Sequence, residues 1–261
     1  MGTRLAFLST ALWLSLTLPI RAASIYDDPS IVLYFSFDEG QGNVVADRSG
    51  HNNEGRIEKA EWVEGRFGKA LRFNGADTYV EVLHNATLDL EVLTLAAWVY
   101  KEEMLLQNLG ESIISKKQSG AYCLEIHGWE NATPNRLDTE MRISGTYHRI
   151  ADDEEFPLNE WVHCAATYDG EWVRLHKNGK LVKEERWPGS VDFNGANLYV
   201  GAESDGGIPD DDHGRFSGVI DEVVVANRPF SEEEIQALME PTTAVEPIGK
   251  IAVLWGALKR Q

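Results

Sequence analysis

Trp129 is flanked by His127, Glu130 and Asn131, and Trp187 and the Tyr147-His148 pair sit in similarly loop-like runs. A sugar wants this combination: its C–H face stacks on a flat ring while amides and carboxylates take its hydroxyls. Trp129, Tyr147 and Trp187 are therefore the candidate ligand-binding residues. Trp98, Trp161 and Trp172 lie in strand-like runs and read as core. Glycoside cleavage is the next chemistry to test, because retaining hydrolysis needs two carboxyls about 5–5.5 Å apart. No strand offers such a pair. Asp221-Glu222 are adjacent, so on a regular strand they point to opposite faces. Glu81 has no strand partner at a useful spacing, and Asp152-Asp153-Glu154-Glu155 reads as a solvated loop.

Other reaction classes lack their residues. There is no Gly-x-Ser-x-Gly elbow and no His-Glu-x-x-His helix, and the seven histidines are scattered. No catalytic residue is assigned, and the chain is expected not to be an enzyme. Asp205, Asp210, Asp211 and Asp212 crowd one loop without the spacing of an EF-hand, which favours a solvated loop over a cation site. Cys123 and Cys164 lack the paired spacing of a zinc site. A disulfide between them and two buried free thiols both stay open. Asn85-Ala-Thr and Asn131-Ala-Thr are glycosylation sequons.

The 261 residues carry 42 acidic against 24 basic side chains, a net charge of −18. That balance argues against a nucleic-acid partner, since no basic stripe offsets repulsion from phosphates. Met1–Ala23 joins a basic start, an apolar run from Leu5 to Ile20 and small residues, the three parts of a secretory signal. The apolar run is short for a membrane span. Without residues 1–23, 22 basic against 42 acidic side chains leave −20. A single domain is expected over 24–240. The tail 241–261 carries Lys250, Lys259 and Arg260 against Glu246, opposite in sign to the body.

The body reads as β throughout. Ile31–Phe37, Thr78–Leu83, Leu93–Tyr100, Tyr122–His127, Trp161–Tyr168, Trp172–Lys177, Leu198–Ala202 and Val219–Ala226 are short, β-branched or aromatic runs between Gly, Asn and Asp. Asp169-Gly170 and Asn178-Gly179 each predict a type I′ turn, giving a three-strand meander. Ser231 with Glu234 forms a capping box and Phe230 with Ile235 a staple, so a helix is expected from Glu232 to Met239.

These runs carry a resemblance. Leu33-Tyr-Phe-Ser-Phe-Asp-Glu-Gly-Gln-Gly, then Asp47-Arg-Ser-Gly-His-Asn-Asn-Glu-Gly, resembles the opening of laminin-G-like, concanavalin A-like jelly-roll domains. Gly65-Arg-Phe-Gly-Lys-Ala-Leu-Arg-Phe, Leu93-Thr-Leu-Ala-Ala-Trp-Val, the Glu160-Trp-Val-His-Cys meander and Phe216-Ser-Gly-Val-Ile-Asp-Glu-Val follow in the same order. The resemblance implies an all-β, two-sheet antiparallel jelly-roll sandwich with one short C-terminal helix. It implies binding, often of carbohydrate, in a secreted, periplasmic or cell-envelope setting. It places His163 in a packing role and Trp62 in family packing. It also implies a structural calcium held by an acid near the first strand and another on the last, here Asp38 and Asp221. The expected function is a secreted non-catalytic module that recognises carbohydrate or an extracellular partner. A polysaccharide hydrolase or lyase, and a structural or adhesive protein-binding domain, are the alternatives, since one fold hosts many functions.

Overall fold

The computed structural model describes residues 24–103, 110–117, 120–127, 135–203 and 214–241. The proposed signal, Trp129, the Asp205–Asp212 loop and the 242–261 tail lie outside them. In chain order the strands are β1 Ile31–Phe35, β2 Val44–Val45, β3 Gly55–Glu58, β4 Glu61–Glu64, β5 Lys69–Asn74 and β6 Tyr79–Val82. Next come β7 Leu93–Lys101, β8 Glu111–Ser115, β9 Tyr122–His127, β10 Arg136–Ile143 and β11 Thr146–Ala151. The series ends with β12 Trp161–Tyr168, β13 Trp172–Lys177, β14 Lys180–Arg186, β15 Leu198–Val200 and β16 Ser217–Ala226, followed by helix α1, Glu232–Ala237. All pairings between strands are antiparallel.

They form two sheets. The first runs β14-β13-β12-β7-β16-β5-β4 with β1 beside β16, and the second runs β11-β10-β9-β8-β15-β6-β3-β2. One apolar cluster fills the space between them, from Phe35, Val80 and Val82 through Leu95, Leu124 and Leu137 to Val162 and Tyr168. A second cluster lies on the far side of the first sheet, where Tyr26, Tyr34, Phe230, Ile235 and Leu238 bury Ala96, Ala165 and Val224. The predicted capping box is present: Ser231 and Glu234 bond each other's backbone N–H.

Local chemistry explains the differences from the sequence expectation. Asn178 and Gly179 both have positive φ (50° and 71°), as a type I′ turn requires. At the preceding turn only Gly170 does (92°), because Asp169 instead uses its Oδ1 to accept from the N–H groups of Glu171 (2.9 Å) and Trp172 (2.7 Å). That is an Asx-type turn, not the predicted I′. Helix α1 ends at Ala237, two residues before the expected Met239. The Asp152–Glu155 run is only partly solvated: Asp152 is buried and paired with the Lys177 ammonium, while Asp153, Glu154 and Glu155 are exposed.

The two cysteines are free and buried, and they do not form a disulfide. Strand alternation is the reason. Cys164 joins Val162 and Ala166 in the core between the sheets. Cys123 lies on the other sheet between Tyr122 and Leu124, which point into that core, so its own side chain faces outward.

Candidate functional site

The first candidate lies at a break in β16. Ser217–Ile220 pairs with β5, whereas Val223–Ala226 pairs with β1, and the register with β7 shifts between Asp221 and Val224. Glu222 sits in this bulge at φ 51°. A bulge sets two residues against one and re-aims side chains. Ile220 and Val223 both face the core, so Asp221 and Glu222 both lie on the outer face. This corrects the expectation that they oppose each other. The Glu222 carboxylate accepts from the Tyr34 hydroxyl at 2.6 Å. Asp221 Oδ2 accepts from the Phe67 N–H at 3.0 Å, and its Oδ1 from the Glu222 N–H at 2.9 Å.

Asp38 arrives at the same turn. Its Oδ1 accepts from the Lys69 N–H at 3.4 Å, and its Oδ2 lies 3.7 Å from Arg48. A side chain at Gly68 would collide with Asp38, and one at Gly65 would come within 2.6 Å of Asp221. The two sequence-predicted acids thus border one glycine-lined turn, 65–69. Burial pushes the Asp221 carboxyl up to about 8 against the pull of the Phe67 amide. Burial raises Glu222 to about 7 despite the Tyr34 hydrogen bond, with Asp38 adding repulsion. Both values mark carboxylates short of positive charge. Among the described residues no group of three or more His, Cys, Asp or Glu is arranged to hold a metal. Calcium at this turn would therefore need backbone carbonyls, which it accepts readily. Asp38 and Asp221 both border the turn, each accepting from a backbone N–H of it, and are the two acids that would hold such an ion.

The second candidate is the outer face of the second sheet. Register places one residue from each of its eight strands in a single row: Val44, Arg56, Glu81, Tyr199, Ser115, Cys123, Glu140 and Arg149. Beside it, Ser112, Glu125 and Asp138 are paired across β8, β9 and β10. The row is buried at its centre and open at both ends. Glu125 and Asp138 are almost wholly buried, and Arg149 donates to both: Nη2 to Glu125 Oε1 at 2.9 Å and Nε to Asp138 Oδ2 at 2.9 Å. The Lys117 ammonium stands 3.3 Å from Glu140, 3.6 Å from Glu203 and 3.9 Å from Glu125.

This arrangement splits the acidities. Burial alone would raise Glu125, but Lys117 and Arg149 outweigh it and hold the carboxylate below its usual range. Asp138 goes well above its usual range, through burial and the neighbouring Glu125 charge. Asp138 is thus the member of the pair that holds a proton more readily, and it hydrogen-bonds to Glu125. Glu125 Oε2 and Asp138 Oδ1 are buried and meet no other donor. Burial also lifts Glu203 to about 7, with Lys117 opposing. The fully buried hydroxyls of Ser112 and Ser115 have no hydrogen-bond partner.

The ligand residues read from sequence divide. Tyr147 is 51% exposed on β11, opposite Arg142, whose guanidinium lies 5.5 Å from the ring. It joins the open end of this face. Trp187 is only 2% exposed: its ring packs against His148 and enters the core, so it offers no stacking face. Trp187 followed the last strand of the meander and read as loop, but its bulk closes that edge of the sandwich. Glu125, Asp138, Arg149 and the serines were not singled out from sequence. Their signal was alternation, since Tyr122-Cys-Leu-Glu-Ile-His and Arg136-Leu-Asp-Thr-Glu-Met-Arg each place charged residues on one face.

No curated protein sequence matches the chain. Solved structures do. The binding domain of Paraclostridial Mosquitocidal Protein 1 is 15% identical with a TM-score of 0.65, covering 83% of this chain and 52% of that one. Domain 4 of AbnA, a GH43 extracellular arabinanase from Geobacillus stearothermophilus solved with arabinotriose, is 17% identical with a TM-score of 0.63 (81% and 98% covered). The receptor binding domain of botulinum neurotoxin mosaic serotype C/D is 20% identical with a TM-score of 0.61 (83% and 51% covered). The chain spans about half the length of the first and third of these. At such identities the likeness is one of fold. The family profile Laminin_G_3 matches residues 74–236, more than half of the sequence, so the chain belongs to the concanavalin A-like lectin/glucanase superfamily.

Proposed function

We propose that the chain is a non-catalytic carbohydrate-binding module that works outside the cytoplasm. The outer face of the second sheet is its ligand-facing surface. The observation that carries this reading is the concentration of acids, guanidinium and hydroxyls along that face, with Tyr147 exposed at its open end. Carboxylate, carboxylic acid, guanidinium and hydroxyl groups together match a polyol, which both donates and accepts. The comparison structures agree in kind, because one was solved with arabinotriose and another, the binding domain of botulinum neurotoxin DC, with SialylT. The same neurotoxin domain in complex with rat synaptotagmin II supports the alternative of a protein partner. Among the described residues no helix is long and apolar enough to cross a membrane.

Calcium forms part of the proposal. Asp38, which is exposed, and Asp221, which is buried, would hold it at the 65–69 turn, and the ion would supply the positive charge that Asp221 lacks.

A panel of neutral oligosaccharides, arabinotriose included, titrated with and without calcium, tests both parts. Binding should occur, weaken at least about tenfold in Glu125→Gln by loss of a charged hydrogen-bonding group, and weaken in Tyr147→Ala. Chelation should lower the melting temperature. Capture of a protein partner with no sugar bound would sink the carbohydrate reading. Unchanged melting with no metal in the purified protein would sink the calcium site.

A hydrolytic reading draws on the opposed acidities of Glu125 and Asp138, which mark catalytic pairs elsewhere. These two carboxyls hydrogen-bond to each other, whereas a retaining pair stands roughly 5–5.5 Å apart. Release of reducing ends from a bound polysaccharide would favour this second reading.

A further inference from the structure

At the end of the row away from Arg149 the second sheet opens into a groove of about 230 Å³, lined by Val44, Glu54, Gly55, Arg56, Glu81 and Leu83. We propose that this groove is a subsite for one uncharged sugar ring, a site that rests on the carbohydrate reading above and adds a location to it. Three features support the assignment. Leu83 is 70% and Val44 49% exposed, so two aliphatic side chains form lips in water where polar residues are the rule. Such lips suit the C–H face of a sugar. Glu81 is fixed in place, because its Oε1 accepts from Asn197 Nδ2 at 2.9 Å and from the Tyr199 hydroxyl at 2.8 Å. Both bonds fall on one oxygen, which leaves Oε2 for a ligand hydroxyl. Arg56 is the cross-strand neighbour of Glu81, and its exposed guanidinium, 3.8 Å from Glu58, supplies donors at the groove. A fixed acceptor, an adjacent donor and apolar edges recognise vicinal hydroxyls on a ring.

Charge complementarity argues against an anion, since Glu54 and Glu81 outnumber Arg56 in the lining. Continuity argues for a sugar that belongs to the same ligand. Tyr199 connects Glu81 to Ser115 in the cross-strand row, and the three strand spacings from Arg56 to Ser115 cover about 14 Å at roughly 4.8 Å each.

The test is calorimetric titration of the full chain with cellotriose, maltotriose and arabinotriose. Leu83 is exposed, so Leu83→Ser leaves folding intact, and Glu81→Gln keeps an acceptor for Asn197 and Tyr199. Affinity should fall about tenfold in Glu81→Gln and several-fold in Leu83→Ser. It should be unchanged in Glu61→Gln, on the exposed β4 of the other sheet. Full affinity in both groove variants, with loss in Glu125→Gln, overturns the groove and leaves the carbohydrate reading standing. Absence of binding to any trisaccharide by the unaltered chain overturns that reading, and the groove with it.

Discussion

Acidification should destabilise this protein by about 1.4 kcal/mol per pH unit through His163 alone. The imidazole is 1% exposed on β12, directly opposite Trp98 on β7, and meets that ring edge-on with centroids 5.3 Å apart. Its Nδ1 has no hydrogen-bond partner. Burial, reinforced by nearby His176, pushes its pKa down to about 3. In the unfolded chain the same group takes a proton near pH 6.5. Between those values the unfolded state binds more protons than the folded one, so stability rises with pH across the window and is lost as pH falls from about 6.5 towards 3. Summed over the window, the loss is on the order of 5 kcal/mol, a large part of a typical domain's stability. His176 is also depressed by burial, partly offset by Glu232, and adds to the same slope. Buried acids such as Glu203 act oppositely between about pH 4.5 and 7, so the variant comparison isolates the effect. In urea unfolding from pH 7 to pH 4, His163→Gln should show a flatter profile than the unaltered chain. Identical slopes would mean that His163 is protonated in the fold.

His163 also shows how much was legible in the sequence. The run Trp161-Val-His-Cys-Ala-Ala-Thr-Tyr gave the strand, and β12 has those bounds, while the packing role of His163 came from the family resemblance. Runs of the same kind located β9 and β13 to the residue. Shorter or more polar strands such as β3, β4, β10 and β11 were not among the expected runs, because half-exposed patterns with Arg, Glu and Lys imitate loops. Asp38 and Asp221 were found through their motifs, and the fold does bring both to one turn. Their relation to Glu222 was misread because a bulge breaks the period of two on which facing arguments depend. The row on the second sheet needed register: Val44 and Arg149 are far apart in sequence, and only the pairing of eight strands sets them in line.

Removing the guanidinium at the far end of that row should be the most damaging single change on the face. Arg149 has a side chain only 20% exposed and donates to Glu125 and Asp138, which are 0% and 1% exposed. Breaking a buried charge pair from one side leaves an uncompensated charge and costs about 3–5 kcal/mol. Asp138 holds a proton more readily than Glu125, so the penalty falls on Glu125, which would retain Lys117, 3.9 Å away, and the influence of His127. Arg149→Met should therefore unfold at much lower urea at pH 7. The sign of its pH response follows. Without Arg149 the Glu125 pKa rises, the folded variant binds an extra proton, and the deficit against the unaltered chain shrinks as pH falls towards 4. Glu125→Gln combined with Arg149→Met should recover part of the loss, because the stranded charge is gone. Equal deficits at pH 7 and pH 4, with no recovery in the double variant, would mean that Arg149 acts through packing rather than charge. The orientation of the carboxyl pair would then rest on Lys117. On the proposed carbohydrate reading, Arg149→Met also loses oligosaccharide affinity at pH 7, since Arg149 no longer fixes Glu125 and Asp138 on that face.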